Sequence, residues 1–268
     1  MTADRASEAK RCCARLYETD FVSLLLGDSY HPGGLALTER LGELLHLNRD
    51  DYVVDAASGT GASALHLADR FGCRVSGFDL SQRNVDRANA HAARIGLADR
   101  VRFECGDAER LPLADGSVNA LVCECAFCTF PDKPQAAREF ARVLRGGGRV
   151  GLSDITRSDV PSDDLTDLMA WIACLADARS PDTYAAWLAG AGLTVSVIEP
   201  HDDALTEMVR SIGVRLMAAD VLVALKKIDL PGVDFEAARR MANQARAAIE
   251  RRHIGYAVIC AQAPLRRQ

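Results

Sequence analysis

YVVDAASGTGASALHL, residues 52–67, is the stretch on which the reading of this chain turns. The apolar run from Tyr52 to Ala57 has the length and composition of a buried strand. Ser58-Gly59-Thr60-Gly61 interrupts it, and the residues from Ser63 to Phe71 read as a helix. Glycines between a strand and a helix permit a tight turn and bring the backbone close to a bound nucleotide, while the helix start offers unpaired N–H groups.

Working outward, the same alternation continues. Residues 73–80 (CRVSGFDL) read as a strand, 83–96 as a helix, 100–108 (RVRFECGDA) and 117–125 (SVNALVCEC) as strands, 134–145 as a helix and 148–155 as a strand. Strands alternating with helices of this length predict an α/β fold with a doubly wound, mostly parallel sheet, whose ligand sites lie at the carboxyl ends of the strands. Before this core stand a leading helix (3–26), a turn cluster GDSYHPGG (27–34) and an amphipathic helix (35–47). After it come a charged, helix-leaning insert (157–180), a capped helix (180–192), a strand (193–200), two helices (204–228 and 234–252) and a closing strand (255–263). The expected division is an N-terminal helical segment over 1–48, a cofactor-binding core over 49–200 carrying the insert at 157–180, and a helical insert plus final strand over 201–268. The two helices near the C-terminus suit either a cover over a substrate mouth or a dimer contact.

Composition narrows the function classes. The 268 residues are 49% hydrophobic and 26% charged, and 32 Lys and Arg against 37 Asp and Glu leave a net charge of −5. That balance excludes a disordered tail and lacks the basic field that duplex nucleic acid demands. With no apolar run of signal-peptide or membrane-span type, a soluble, cytoplasmic protein is expected. There are nine cysteines, an odd number, and a reducing compartment makes them thiols rather than a disulfide framework.

Acids follow three successive strands: Asp55 before the glycines, Asp79 after the second strand and Asp107 after the third. Such a set suits a ligand with an amino group, a ribose diol and an adenine amine. Gly59 to Ala64 also fits a G-x-G-x-x-A dinucleotide fingerprint with Asp79 as its acid, so a nicotinamide dehydrogenase is a rival reading. Together with GDAERLPLADGSVN (106–119) and the ARVLRGGGRV run (141–150), these motifs resemble the class I S-adenosylmethionine-dependent methyltransferases over residues 50–157. The resemblance implies that Asp79, with Leu80 beside it, binds the ribose hydroxyls, that Asp107 and Ala108 approach the adenine, and that Ser58, Gly59, Thr60 and Gly61 flank the methionine part. Asp55 is then near the amino end. Ala56 and Ala57 depart from the pattern, Ala57 standing where the family has glycine.

Within that family, CECAFCTFPDK (123–133) and WIACLADA (171–178) resemble the arsenite methyltransferases, which carry one cysteine after the fourth strand and another about fifty residues later. The resemblance implies Cys125 and Cys174 as thiolate ligands of a trivalent arsenic substrate, with glutathione or thioredoxin as reductant. Soft thiolates select a soft centre, and bound arsenic keeps a lone pair that can attack the sulfonium methyl. That branch commonly adds two further cysteines, one before the glycine loop and one near it; here Ser58 and Thr60 stand in the loop and no cysteine lies between Cys13 and Cys73, so Cys128, Cys12 or Cys13 are the candidate replacements, with Cys128 as candidate third ligand. Cys73, Cys105, Cys123 and Cys260 read as core residues. A structural zinc site from Cys123, Cys125, Cys128 and Cys174 is disfavoured because C-x-C-x-x-C is not the usual knuckle spacing. His31 and Tyr30 are candidates to cover the methionine end, Trp171 and Trp187 read as packing, and Glu124 and Asp154 are candidate bases for a small organic acceptor. A thiol-based metalloid or redox sensor is the alternative from another class.

Overall fold

The computed structural model describes residues 31–158, 177–227, 229–230 and 233–265. The leading helix of residues 3–26, most of the 157–180 insert, and Cys12, Cys13, Tyr30, Trp171 and Cys174 lie outside the described residues.

Helix α1 (Gly34–Leu44) leads into β1 (Tyr52–Ala56), α2 (Ala62–Phe71), β2 (Arg74–Asp79), α3 (Gln82–Arg94), β3 (Val101–Cys105) and β4 (Val118–Glu124). There follow a 3-10 turn (Phe127–Thr129), α4 (Lys133–Val143), β5 (Leu144–Arg157), α5 (Pro181–Gly190), β6 (Thr194–Pro200), α6 (Asp202–Ala224), α7 (Phe235–Glu250) and β7 (Ile254–Gln262). The seven strands form one sheet in the order β3-β2-β1-β4-β5-β7-β6. Strands β1 to β5 are parallel, and β7 runs antiparallel between β5 and β6. The expected doubly wound, mostly parallel sheet is therefore the observed one, with its switch point between β1 and β4.

Each face of the sheet carries its own core. Leu37, Leu41 and Leu45 from α1 and its C-terminus, Leu67 from α2 and Ile249 from α7 pack with Val53, Val122 and Tyr256 on one face. Phe140 and Val143 from α4, and Tyr184 and Leu188 from α5, pack with Val54, Leu121 and Leu152 on the other. Alternation along each strand sends successive side chains to opposite faces, so both sets come from the same apolar runs. Leu144 and Arg145 had been read as helix; instead they begin β5, where Leu144 pairs with Val118.

Two backbone features shape the edge where the strands end. At Gly61 φ is +85° and a Cβ would meet Phe103 at 2.5 Å, so only glycine lets α2 pack this closely against β3. Ala57 takes a left-handed φ of +62° although it has a side chain. Left-handed backbone costs an L residue about 1–2 kcal/mol, partly offset by glycine's larger unfolded-state entropy. Ala57→Gly is thus expected to raise stability by up to about 1 kcal/mol in urea unfolding; a destabilised variant would show that Ala57 is not strained.

Candidate active site at the carboxyl edge

Asp55 sits near the end of central β1, in register with Gly77 of β2 and Val122 of β4. The carboxyl is fully buried, and its Oδ2 has no hydrogen-bond partner among the described residues. Burial, followed by the charges of Glu124 and Asp79, pushes its pKa well above the usual carboxylate range. The Ser58 hydroxyl, also buried, lacks a partner too.

Asp79 ties the glycine loop to the end of β2. Its Oδ2 accepts the Gly59 N–H at 2.9 Å, and its Oδ1 accepts the Ser81 N–H at 2.9 Å and the Asn84 side chain at 3.3 Å. A Cβ built on Gly59 would meet nothing within 4 Å, and α2 starts at Gly61 without a side-chain cap. Leu80 is exposed at the lip, Ala108 is buried, and Asp107 accepts the Glu109 N–H at 3.0 Å. The orphaned buried oxygens of Asp55 and Ser58 and the open approach at Gly59 fit a ligand that brings positive charge and polar groups. S-adenosylmethionine has both a sulfonium and an ammonium group to set against Asp55 and its neighbouring carboxylates.

A second polar group stands at the ends of β4 and β5. Thr38 on α1 donates to Glu124 Oε2 at 2.8 Å, and Ser153 donates to Glu124 Oε1 at 2.9 Å. Tyr256 on β7 donates to the Ser153 hydroxyl at 3.1 Å. His31 Nε2 lies 3.2 Å from the Thr38 hydroxyl, 3.5 Å from Ser63 on α2 and 3.6 Å from Glu124 Oε2. The Glu124 side chain is only 3% exposed, so it does not face solvent. Glu124 and His31 were legible as candidates. Thr38, Ser63, Ser153 and Tyr256 were not, because nothing in a sequence marks a hydroxyl whose partner is 86 or 103 residues away.

The thiols divide by face. Cys125, just past β4, packs against the α1 side and takes a left-handed φ of +50°, with its N–H donated to the Ser153 carbonyl at 2.7 Å. Cys128 is buried with Cys123 and Phe127 on the opposite face. Its N–H and thiol meet Asp154, whose pKa burial pushes up to about 6. Asp154 thus caps the 3-10 turn rather than opening to the edge. Cys73 and Cys260 are core, as expected, and Trp187 packs near Phe127 and Tyr184. Cys105 is a correction: it is exposed, with its thiol 3.1 Å from Gln82 Oε1, because it ends β3 at the edge of the sheet. Among the described residues no three His, Cys, Asp or Glu side chains form a metal site, and no helix is long and apolar enough to cross a membrane.

Residues 54–152 match the family model described as a methyltransferase domain. Methyltransferase GfsG of Streptomyces halstedii is 34% identical over 200 residues, covering 73% of this chain and 70% of that protein. Arsenite methyltransferase of Halobacterium salinarum is 32% identical over 180 residues, 64% of this chain but only 46% of that protein. The crystal structure of geranyl diphosphate C-methyltransferase from Streptomyces coelicolor A3(2) has the same fold, with a TM-score of 0.74 at 20% identity over 95% and 97% of the two chains.

A sheet of this order with acids and a glycine loop at its carboxyl edge defines a class I methyltransferase fold. The chain belongs to the S-adenosylmethionine-dependent methyltransferases, and S-adenosylmethionine is its cofactor. The nicotinamide reading of Gly59 to Ala64 is thereby overturned.

The raised Asp55 carboxyl carries a sign for stability. An acid whose pKa is higher folded than unfolded stabilises the fold at low pH, and that contribution is lost as pH rises through the raised value. Asp55→Asn should therefore raise the melting temperature of ligand-free protein near neutral pH and flatten its fall above about pH 4. The same change should weaken S-adenosylmethionine binding at least about tenfold by calorimetry. Unchanged affinity would remove Asp55 from the cofactor site.

Proposed function

We propose that this methyltransferase transfers the methyl group to trivalent arsenic, arsenite or methylarsenite, held by the thiolates of Cys125 and Cys174. The observation that carries this reading is the backbone of Cys125: a non-glycine residue held left-handed at the carboxyl edge, with its N–H fixed by Ser153. Strain of this kind persists where the surroundings over-determine it, and it clusters at functional sites. Cys174 enters on the sequence spacing alone. Cys128, facing the other side of the sheet, leaves Cys125 and Cys174 as the two proposed ligands.

The chemistry asks the protein for position more than for proton transfer. Thiolate-bound trivalent arsenic presents a lone pair in line with the sulfonium methyl, and no proton leaves the nucleophile. The Ser58 to Gly61 backbone and the carboxylates of Asp55 and Asp79 orient the cofactor, with Leu80, Asp107 and Ala108 beside the ribose and adenine. The As–C bond forms as the sulfonium S–CH3 bond breaks and leaves arsenic pentavalent; Cys125 and Cys174 return two electrons by closing a disulfide, which reduced glutathione or thioredoxin reopens to the thiols.

Cys125→Ser and Cys174→Ser are each expected to leave S-adenosylmethionine affinity unchanged while cutting methylarsenical formation at least about a hundredfold, because each removes a positioning ligand. Activity on arsenite in both variants would overturn the reading. A second reading, transfer to a small organic molecule with Glu124 or His31 as base, is favoured by the higher identity to GfsG than to the arsenite enzyme. Organic methylation would survive Cys125→Ser. A thiol-based sensor with a vestigial cofactor pocket would bind no S-adenosylmethionine in calorimetry.

A further inference from the structure

Ser153 touches both Glu124, the last residue of β4, and Cys125 just past it. Its hydroxyl donates to Glu124 Oε1 at 2.9 Å, and its carbonyl accepts the Cys125 N–H at 2.7 Å. One residue of β5 therefore sets the carboxylate and the thiol-bearing backbone in a fixed relation to each other. Ser153 is itself held by the Tyr256 hydroxyl, and the other carboxylate oxygen is held by Thr38, which His31 backs. A carboxylate has about four lone-pair positions; Thr38 and Ser153 take one on each oxygen. With its side chain 3% exposed, Glu124 is pre-organised to accept a further hydrogen bond away from bulk water, where such a bond discriminates strongly.

We propose that Glu124 determines which form of arsenic the enzyme takes: it accepts a hydrogen bond from a hydroxyl on arsenic bound to Cys125, selecting free arsenous acid over its glutathione thiolate. This rests on the arsenic reading above. Capture at Cys125 breaks one As–O bond and forms one As–S bond. The thiol proton and the departing hydroxide leave together as water, with no change in oxidation state. The arsenic keeps hydroxyl groups, and one of them meets Glu124. Arsenic triglutathione offers no hydroxyl, and its peptide carboxylates enter a region that already holds the acids Asp79 and Glu124. Both effects reject the conjugate.

The test compares arsenous acid with preformed arsenic triglutathione, as binding by calorimetry and as single-turnover methylation, with a phosphine reductant in place of thiols. The wild-type protein should prefer arsenous acid. Glu124→Gln should reduce that preference about tenfold or more, read as a ratio of the two substrates at saturating S-adenosylmethionine. Thr38→Val should move the preference the same way, its effect should be non-additive with Glu124→Gln, and Thr38→Ser should restore it. Should Glu124→Gln fail to fold, the Thr38 pair carries the test alone. A wild-type preference for the conjugate, or variants that lower both substrates equally, overturns the inference. If instead Cys125→Ser binds arsenous acid as well as the wild type, the arsenic reading itself fails.

Discussion

Asp55 is held near the end of the central strand with one carboxylate oxygen beyond the reach of any donor among the described residues. A buried carboxyl with two other acids nearby is costly in the absence of a cation, and the protein meets that cost by favouring the neutral form. Much of the carboxyl edge follows from this placement. Asp79 holds the glycine loop by the Gly59 N–H, and the Ala64 N–H in the first turn of α2 is donated to Asp55. With the cofactor cations placed as proposed, this cost is relieved on binding, and cofactor binding and fold stability become coupled through Asp55.

The polar group proposed to face the methyl acceptor is built differently. Around Glu124 the donors are hydroxyls, from Thr38 and Ser153, with His31 and Tyr256 behind them. These come from the segment before α1, from α1 itself, from β5 and from β7, and they converge only because β4, β5 and β7 lie side by side. A carboxylate fixed from several elements is rigid, and rigidity suits a methyl transfer that depends on geometry. The antiparallel β7 brings its Tyr256 opposite Ile155, beside the Ser153 hydroxyl. The closing strand thus contributes to the site as well as completing the sheet.

Cys125 and Cys128 show how a local change in backbone sorts similar residues. Only three positions separate them, yet one packs toward α1 and the other is sealed among Phe127, Cys123 and Asp154. The left-handed turn at Cys125 ends the strand alternation, and the 3-10 turn that follows carries Cys128 under the sheet edge. In sequence both thiols are candidate ligands, Cys125 by its position and Cys128 as a replacement, and only the fold sends them to opposite faces of the sheet.

Residues 52–67 determined the fold class by themselves, since an apolar strand, a glycine turn and a helix in succession impose a βα unit, and its repetition imposes a parallel sheet. The acids at 55, 79 and 107 were legible for the same reason: strand ends can be found from periodicity, and in this topology strand ends are where ligands sit. What only tertiary structure decided was which face each side chain took and which distant hydroxyls met it. The burial of Glu124, the exposure of Cys105 at the sheet edge and the Ser153 link between carboxylate and thiol all depend on strand order and register. Those are set by packing between segments far apart in the chain, and a local pattern carries no information about them.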